Sequence, residues 1–216
     1  MKTNNKIKEN PRFNYQANFG KNNPLLTNIS LYEAALDEFS SKDYQRASLN
    51  DILKKAQMPK SSFYYQFGDK LGLYLAVMDI IGDKKMAFFK ERMANIDNDA
   101  DFFTIVRQLT KETMDFMFID LRLYHFSNLM METDHEMIKV IMKYFPYDIQ
   151  GSFGPLLMKA YEEGQISNKY PLEFVSRLLT VIMSNIDKMI DEKTTPDMAY
   201  KTMTMVFDVL ENGIKE

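Results

Sequence analysis

Six residues within a seven-residue run, Lys60, Ser61, Ser62, Tyr64, Tyr65 and Gln66, gather hydrogen-bonding chemistry with almost no net charge. Ammonium, hydroxyl, phenol and amide groups at this density suit base edges and phosphates better than plain solvation. Phe63 and Phe67, four apart, would hold one side of such a helix against a core while the polar groups face outward. In the stretch before it, Leu49, Ile52, Leu53 and Ala56 recur at helical spacing. Ser48 stands three residues before Asp51 as the N-cap of that helix and joins the contact set. Gln57-Met58 makes the turn, and Pro59 opens the second helix, where its missing amide hydrogen costs nothing. Gly68 ends that helix, Asp69 caps the next, and Lys70 in its first turn is placed to meet a phosphate.

These residues must be positioned by flanking helices. Asn23-Pro24 offers a cap and first-turn proline for a preceding amphipathic helix, and Ser30-x-x-Glu33 a competing capping box. The earlier start is preferred, with the helix running to about Ser41 and burying Leu31, Ala35 and Phe39, with Tyr32 and Leu36 beside them. Beyond Lys70 the pattern is helical throughout, with spans near 70–94, 101–118, 120–132, 135–145, 148–163, 171–191 and 196–212. Asn95 to Ala100, Tyr144 to Tyr147 and Gly164 to Lys169 mark the breaks. Thr195-Pro196-Asp197 starts the last helix and Asn212-Gly213 closes it.

Over residues 28–75 the chain resembles the TetR family of bacterial transcriptional regulators. The resemblance is carried by Ala34-Ala35-Leu36 with Phe39, Tyr44 followed by Ser48, Ile52, Ala56, and the unbroken run Lys60-Ser61-Ser62-Phe63-Tyr64-Tyr65-Gln66-Phe67-Gly68-Asp69-Lys70. The chain departs from the family at Asp43, where Gly is usual and a left-handed backbone is therefore expected, and at Ala47, where a Thr would add a phosphate contact. Ser61 replaces a frequent Gly, and Leu71-Gly72 an acidic pair. The resemblance implies an all-α protein, with a three-helix helix-turn-helix head joined to a helical ligand-binding and dimerisation body. The expected divisions are a disordered basic arm over 1–23, the DNA-binding head over 24–75 and the body over 76–216. DNA contacts fall to Ser48, Lys60, Ser61, Ser62, Tyr64, Tyr65 and Gln66, with Lys70 on phosphate.

Composition agrees. The net charge of −3 divides into +4 over residues 1–75 (11 Lys and Arg against 7 Asp and Glu) and −7 over the remainder (16 against 23). The basic excess sits where phosphates would be. Lys2, Lys6, Lys8, Arg12 and Lys21 oppose only Glu9 in the first 23 residues, which show no period. Such an arm could also contact phosphate or the minor groove. There are no cysteines, which excludes disulfides, thiolate catalysis and thiolate metal sites. No apolar run suggests a signal peptide or membrane span, so a cytoplasmic location is expected. The acidic residues around His135 lie at a helix start and no second histidine stands at metal-ligand spacing, so no metal and no cofactor is expected. No nucleophile elbow, phosphate loop or histidine dyad is present, and no catalytic residue is assigned.

Fourteen of the 17 methionines follow residue 85, interleaved with Phe and Tyr. They could fill a helical core or wall a pocket for a small hydrophobic effector; the family resemblance favours the pocket, with Phe103, Met114, Met117, Tyr124, His125 and Met130 as its lining. His125 could instead be an ordinary core or surface histidine. The last two helices are apolar over a wide arc, which calls for partners on two sides. Leu178, Ile182, Ile186, Val206 and Leu210 are the expected homodimer surface, with Met205 and Val209 left over; the alternative is burial within one monomer. The leading functional reading is a repressor that binds a palindromic double-stranded DNA operator as a dimer and is released by a small hydrophobic effector. A helix-turn-helix activator or regulator without an effector stands second, and an all-helical enzyme third.

Overall fold

Ten α-helices and no strand make up the described residues of the computed structural model, which are 7–93, 100–146, 149–183, 185 and 195–214. They are α1 (Ile29–Ser41), α2 (Leu49–Lys55), α3 (Lys60–Phe67), α4 (Lys70–Met93), α5 (Phe102–Ile119), α6 (Leu121–Met131), α7 (His135–Tyr144), α8 (Ile149–Glu162), α9 (Leu172–Met183) and α10 (Pro196–Ile214). The all-α expectation holds. Residues 1–6, 94–99 and 186–191 of the expected elements lie outside the described residues, Ile186 among them.

The first compact unit comprises residues 1–90 and 119–146. Its core is aromatic. Phe63 and Phe67 of α3 stack with ring centres 5.5 Å apart. Phe39 of α1 meets Tyr74 of α4 edge-on at 5.0 Å, and Tyr74 also contacts Tyr44 and Phe126, each at 5.2 Å. Helix α6 packs along α1, and Arg122 at its start reaches three carboxylates: Glu33 at 2.7 Å, Asp37 at 2.6 Å and Asp120 at 2.7 Å. Helix α7 starts at the Asp134 cap, whose carboxylate accepts from the Met137 amide at 2.9 Å, and buries Met137 and Ile141.

Two local expectations are corrected. The turn at Asn23-Pro24 is only a 3-10 turn, Pro24–Leu26, with Asn23 accepting from the Leu25 amide. Helix α1 starts later, at Ile29, because Asn28 leaves helical backbone and its side chain caps the Leu31 amide at 3.1 Å. Asp43 is not left-handed: Gln57 is the sole described non-glycine with positive φ. Asp43 instead starts a turn, its carboxylate accepting from the Arg46 amide at 2.9 Å.

Residues 7–23, expected to be disordered, pack against the first unit through Tyr15, which is buried, and through Phe13 and Phe19. Composition concealed this, because three rings at irregular spacing fix the segment without any period.

The second unit, residues 91–118 and 147–216, is a separate core. Phe102, Phe103 and Val106 of α5, Leu157 of α8, Val175 of α9, and Met203 and Phe207 of α10 form it. Arg107 holds α10 through Glu211 at 2.8 Å and Asp208 at 2.9 Å. Asn212-Gly213 does not stop α10; buried Ile214 carries it on, and its carbonyl accepts from the Ser167 amide at 2.8 Å. No helix of the described residues is long and apolar enough to cross a membrane.

Candidate nucleic-acid interface

Helix α2 begins where expected, at Ser48, whose hydroxyl accepts from the Asp51 amide at 3.3 Å. The Ser48 amide is itself held by Glu38 at 2.7 Å, so α1 fixes the start of α2. Ile52 and Leu53 are buried; Asn50, Lys54 and Lys55 are exposed. The turn is closed by the Met58 amide on the Leu53 carbonyl at 2.9 Å, with Gln57 at φ +53°. That conformation disfavours residues with a side chain, and here it redirects the chain between two helices. Pro59 sits at the N-cap of α3, and its carbonyl accepts from the Phe63 amide at 3.0 Å.

The two faces of α3 then separate. Phe63 and Phe67 are fully buried, whereas Tyr65 is 89% exposed and Tyr64 51%. Lys60 and Ser61 are exposed and Ser62 and Gln66 half-buried, so the expected contact residues share a solvent-facing surface about 12 Å long. Two large exposed aromatics on an eight-residue helix gain nothing by folding alone; a partner surface would use them. The Ser48 hydroxyl keeps its hydrogen available after capping.

Lys70 does not stand free for a phosphate. Its ammonium donates to the carbonyls of Tyr44 at 2.7 Å, Ala47 at 2.9 Å and Gln45 at 3.4 Å. An ammonium has three donors, and all are engaged. Burial lowers its pKa, against the opposing effect of Asp43 and Glu38. Lys70 therefore positions the loop between α1 and α2, and the expectation of a phosphate contact is replaced by this role.

Sequence reasoning missed the packing of the N-terminal segment. The Tyr15 hydroxyl donates to Asp69 at 2.6 Å and accepts from the Asn10 amide at 2.8 Å. Asn18 donates to the Gln66 carbonyl at the end of α3. Gly68, with φ +75°, leaves the room that the Phe13 ring fills; a Cβ there would come within 2.5 Å of it. At Gly72 a Cβ would lie 1.9 Å from the Phe67 carbonyl oxygen and 3.1 Å from the Tyr15 ring. The departure at Leu71-Gly72 thus follows from packing at the α3–α4 junction. Phe13, Tyr15 and Phe19 were the available signal.

The six residues expected to line an effector pocket divide between the units. Phe103 is buried in the second core and Met114 packs against that core, both on α5. Met117 is half-buried on the same helix. Tyr124, His125 and Met130 lie on α6 in the first unit, and His125 is exposed. Of the expected dimer residues, Leu210 is buried in its own core, and Leu178, Ile182 and Val206 are partly buried against it. On these two helices the exposed large hydrophobic side chains are Phe174 and Val181 on α9 and Met198, Tyr200, Met205 and Val209 on α10.

This geometry defines a helix-turn-helix head on an all-helical chain. Residues 31–77 match the model of the bacterial regulatory proteins of the tetR family. The head is that of the TetR family, as its motif implied. An uncharacterized HTH-type transcriptional regulator, YvdT of Bacillus subtilis (strain 168), is 31% identical over 83 residues, 38% of this chain and 41% of that protein. The transcriptional regulator AcuR of Cereibacter sphaeroides is 37% identical over 54 residues, a quarter of each chain. The matches thus span less than half the length of these curated relatives. A TetR family regulator from Chloroflexus aurantiacus shares the fold over 90% of this chain and 96% of its own, with TM-score 0.70 and 23% identity.

Proposed function

We propose that the chain is a DNA-binding transcriptional regulator that acts in the cytoplasm as a homodimer on a palindromic operator. The observation that carries this is the outward face of α3, where Tyr64 and Tyr65 stand exposed beside Lys60 and Ser61 on a helix whose other face is fully buried. A recognition helix reads bases in this way, with flanking groups fixing its register. Selection from a random duplex pool tests it. Recovery of a two-fold symmetric sequence bound by the wild type and lost with Tyr64→Ala is the expected result; no enrichment at low salt would refute it.

One head covers one half-site, so two must be joined by a twofold axis. Phe174, Leu178 and Val181 on α9, and Met198, Met205 and Val209 on α10, recur at intervals of three, four or seven residues. Such stripes on two helices suit a second copy of the chain.

The action proposed is repression relieved by a small hydrophobic effector. Supporting this is Thr110 on α5, which is 8% exposed and whose hydroxyl has no hydrogen-bond partner among the described residues. It lies one helical turn from Val106 and from Met114, on the stripe that also carries Phe103 and Met117. A buried hydroxyl amid apolar side chains is costly unless something hydrogen-bonds to it. An amphipathic molecule with one polar group would meet that need. A ligand favouring the non-binding conformation by roughly 1–3 kcal/mol would shift operator occupancy appreciably. The test is a screen of lipophilic compounds for release of the selected operator.

A further inference from the structure

The DNA-binding reading leaves α3 short of cations. Lys60 is its single charged residue, and Lys70 is committed to three backbone carbonyls. Backbone affinity depends on cations that displace the counterions of phosphates, so a head with one such group at the recognition helix would bind weakly.

Exposed Lys54 on α2 adds one cation, and the N-terminal segment holds more. Arg12 sits in a tight turn, Asn10 to Phe13, fixed twice: the Phe13 amide donates to the Asn10 carbonyl at 3.1 Å, and the Arg12 amide to the Asn10 side chain at 3.1 Å. The turn cannot drift, because the Phe13 ring occupies the space over Gly68 and Tyr15 is bonded to Asp69. Gly68 and Asp69 directly follow the last residue of α3. Arg12 and Lys8 are both exposed, and neither has an ion-pair partner among the described residues. The nearby acid is answered separately: Glu9 accepts from Lys143 and from the Tyr144 hydroxyl, each at 2.6 Å. The segment therefore presents net positive charge to solvent.

Lys60 begins α3 and the Arg12 turn is fixed beyond its end, so cations flank the recognition helix at both ends. The helix is about 12 Å long, close to the width of the DNA major groove. We propose that the Asn10–Phe13 turn is a second DNA-backbone contact, in which Arg12, assisted by Lys8, binds a phosphate at the end of the recognition helix opposite Lys60. A planar guanidinium suits a phosphate bidentately. The inference rests on the DNA-binding reading, but it concerns a segment outside the helix-turn-helix.

The experiment uses the full chain and a mixed-sequence 30-bp duplex, because phosphate contacts carry no sequence information. Fluorescence anisotropy between 50 and 200 mM salt gives the exponent of salt dependence. Arg12→Ala should lower that exponent by about one per head and weaken binding several-fold at the upper salt limit. Arg12→Lys should keep the exponent. Tyr15→Phe, which leaves the charge unchanged but removes the bond to Asp69, should weaken binding. Lys201→Ala, on α10, controls for net charge alone. If Arg12→Ala leaves both exponent and affinity at wild-type values while Lys60→Ala reduces them, the turn is not a DNA contact and the recognition-helix reading stands. If Arg12→Ala and Lys201→Ala lower the exponent equally, the effect is one of general charge and the proposal is overturned. If the wild type itself does not bind at 50 mM salt, the DNA-binding reading falls and this inference with it.

Discussion

The ammonium of Lys70 lies 2.7 Å from the backbone carbonyl of Tyr44 and 4.6 Å from the centre of the same residue's ring. One side chain thereby fastens the start of α4 to the loop that leads into α2. Lys70→Met should therefore destabilise the protein by about 1–2 kcal/mol, since it leaves partly buried carbonyls without a donor. The salt exponent of DNA binding should stay at the wild-type value. Urea denaturation and anisotropy titration check the two halves; a lower exponent with unchanged stability would restore Lys70 to the phosphate.

Tyr65 is 89% exposed, so its removal should cost the fold little. Tyr65→Ala is expected to change unfolding free energy by less than about 0.5 kcal/mol. Its affinity for the selected operator should nevertheless fall by roughly tenfold, as befits loss of a base-edge contact. Equal affinity in wild type and variant would remove Tyr65 from the interface.

At Gly72 the obstacle to a side chain is backbone, which cannot swing aside. Gly72→Ala should destabilise the protein by about 1–3 kcal/mol through overpacking, although alanine is the better helix former. Denaturant midpoints will decide this, and a gain in stability would contradict the packing described.

Hydrogen bonds from Lys143 and Tyr144 hold the Glu9 carboxyl below its ordinary pKa, outweighing its partial burial. A carboxyl depressed in the folded state contributes stability above its unfolded value, and that contribution is lost as pH falls through the folded one. Acidification below the ordinary carboxylate range should thus loosen residues 9–19 before the aromatic core of the head. Hydrogen exchange from pH 7 down to pH 3 checks the order of loss, and Glu9→Gln should show the loosened pattern already at pH 7.

The proposed dimer makes a fifth demand. Val209 is 74% exposed and Val181 61%. Val209→Asp combined with Val181→Asp should leave the monomer folded but halve the mass seen by light scattering at micromolar concentration. A wild type that is itself monomeric would remove the dimer.

The starts of the helices from α4 onward were legible because each carries its own period, and the last its own punctuation at Pro196. So was the division of α3 into a buried pair and an exposed set, which follows from the spacing of Phe63 and Phe67. What could not be read depended on distant partners. Lys70 looked like a free cation because the three carbonyls it meets lie 23 to 26 residues earlier. The expected dimer face included Leu210, which its own core uses, beside Leu178, Ile182, Ile186 and Val206, while Met205 and Val209 were left over; helical spacing marks an apolar arc but not which part a monomer consumes. The arm read as disordered because its partners, Asp69 and Tyr144, are supplied by other elements.

The bond between Glu9 and Tyr144 closes a loop of 135 residues, and it has a consequence for the newborn chain. Synthesis at roughly 5–20 residues per second separates those two residues by roughly 7–30 s. The helix-turn-helix and the bonds of Tyr15 and Asn18 to the end of α3 can form soon after their own residues emerge, yet the anchor of Glu9 must wait for α7 to be made. The N-terminal segment is therefore fully anchored only late in translation, after Tyr144 has been made.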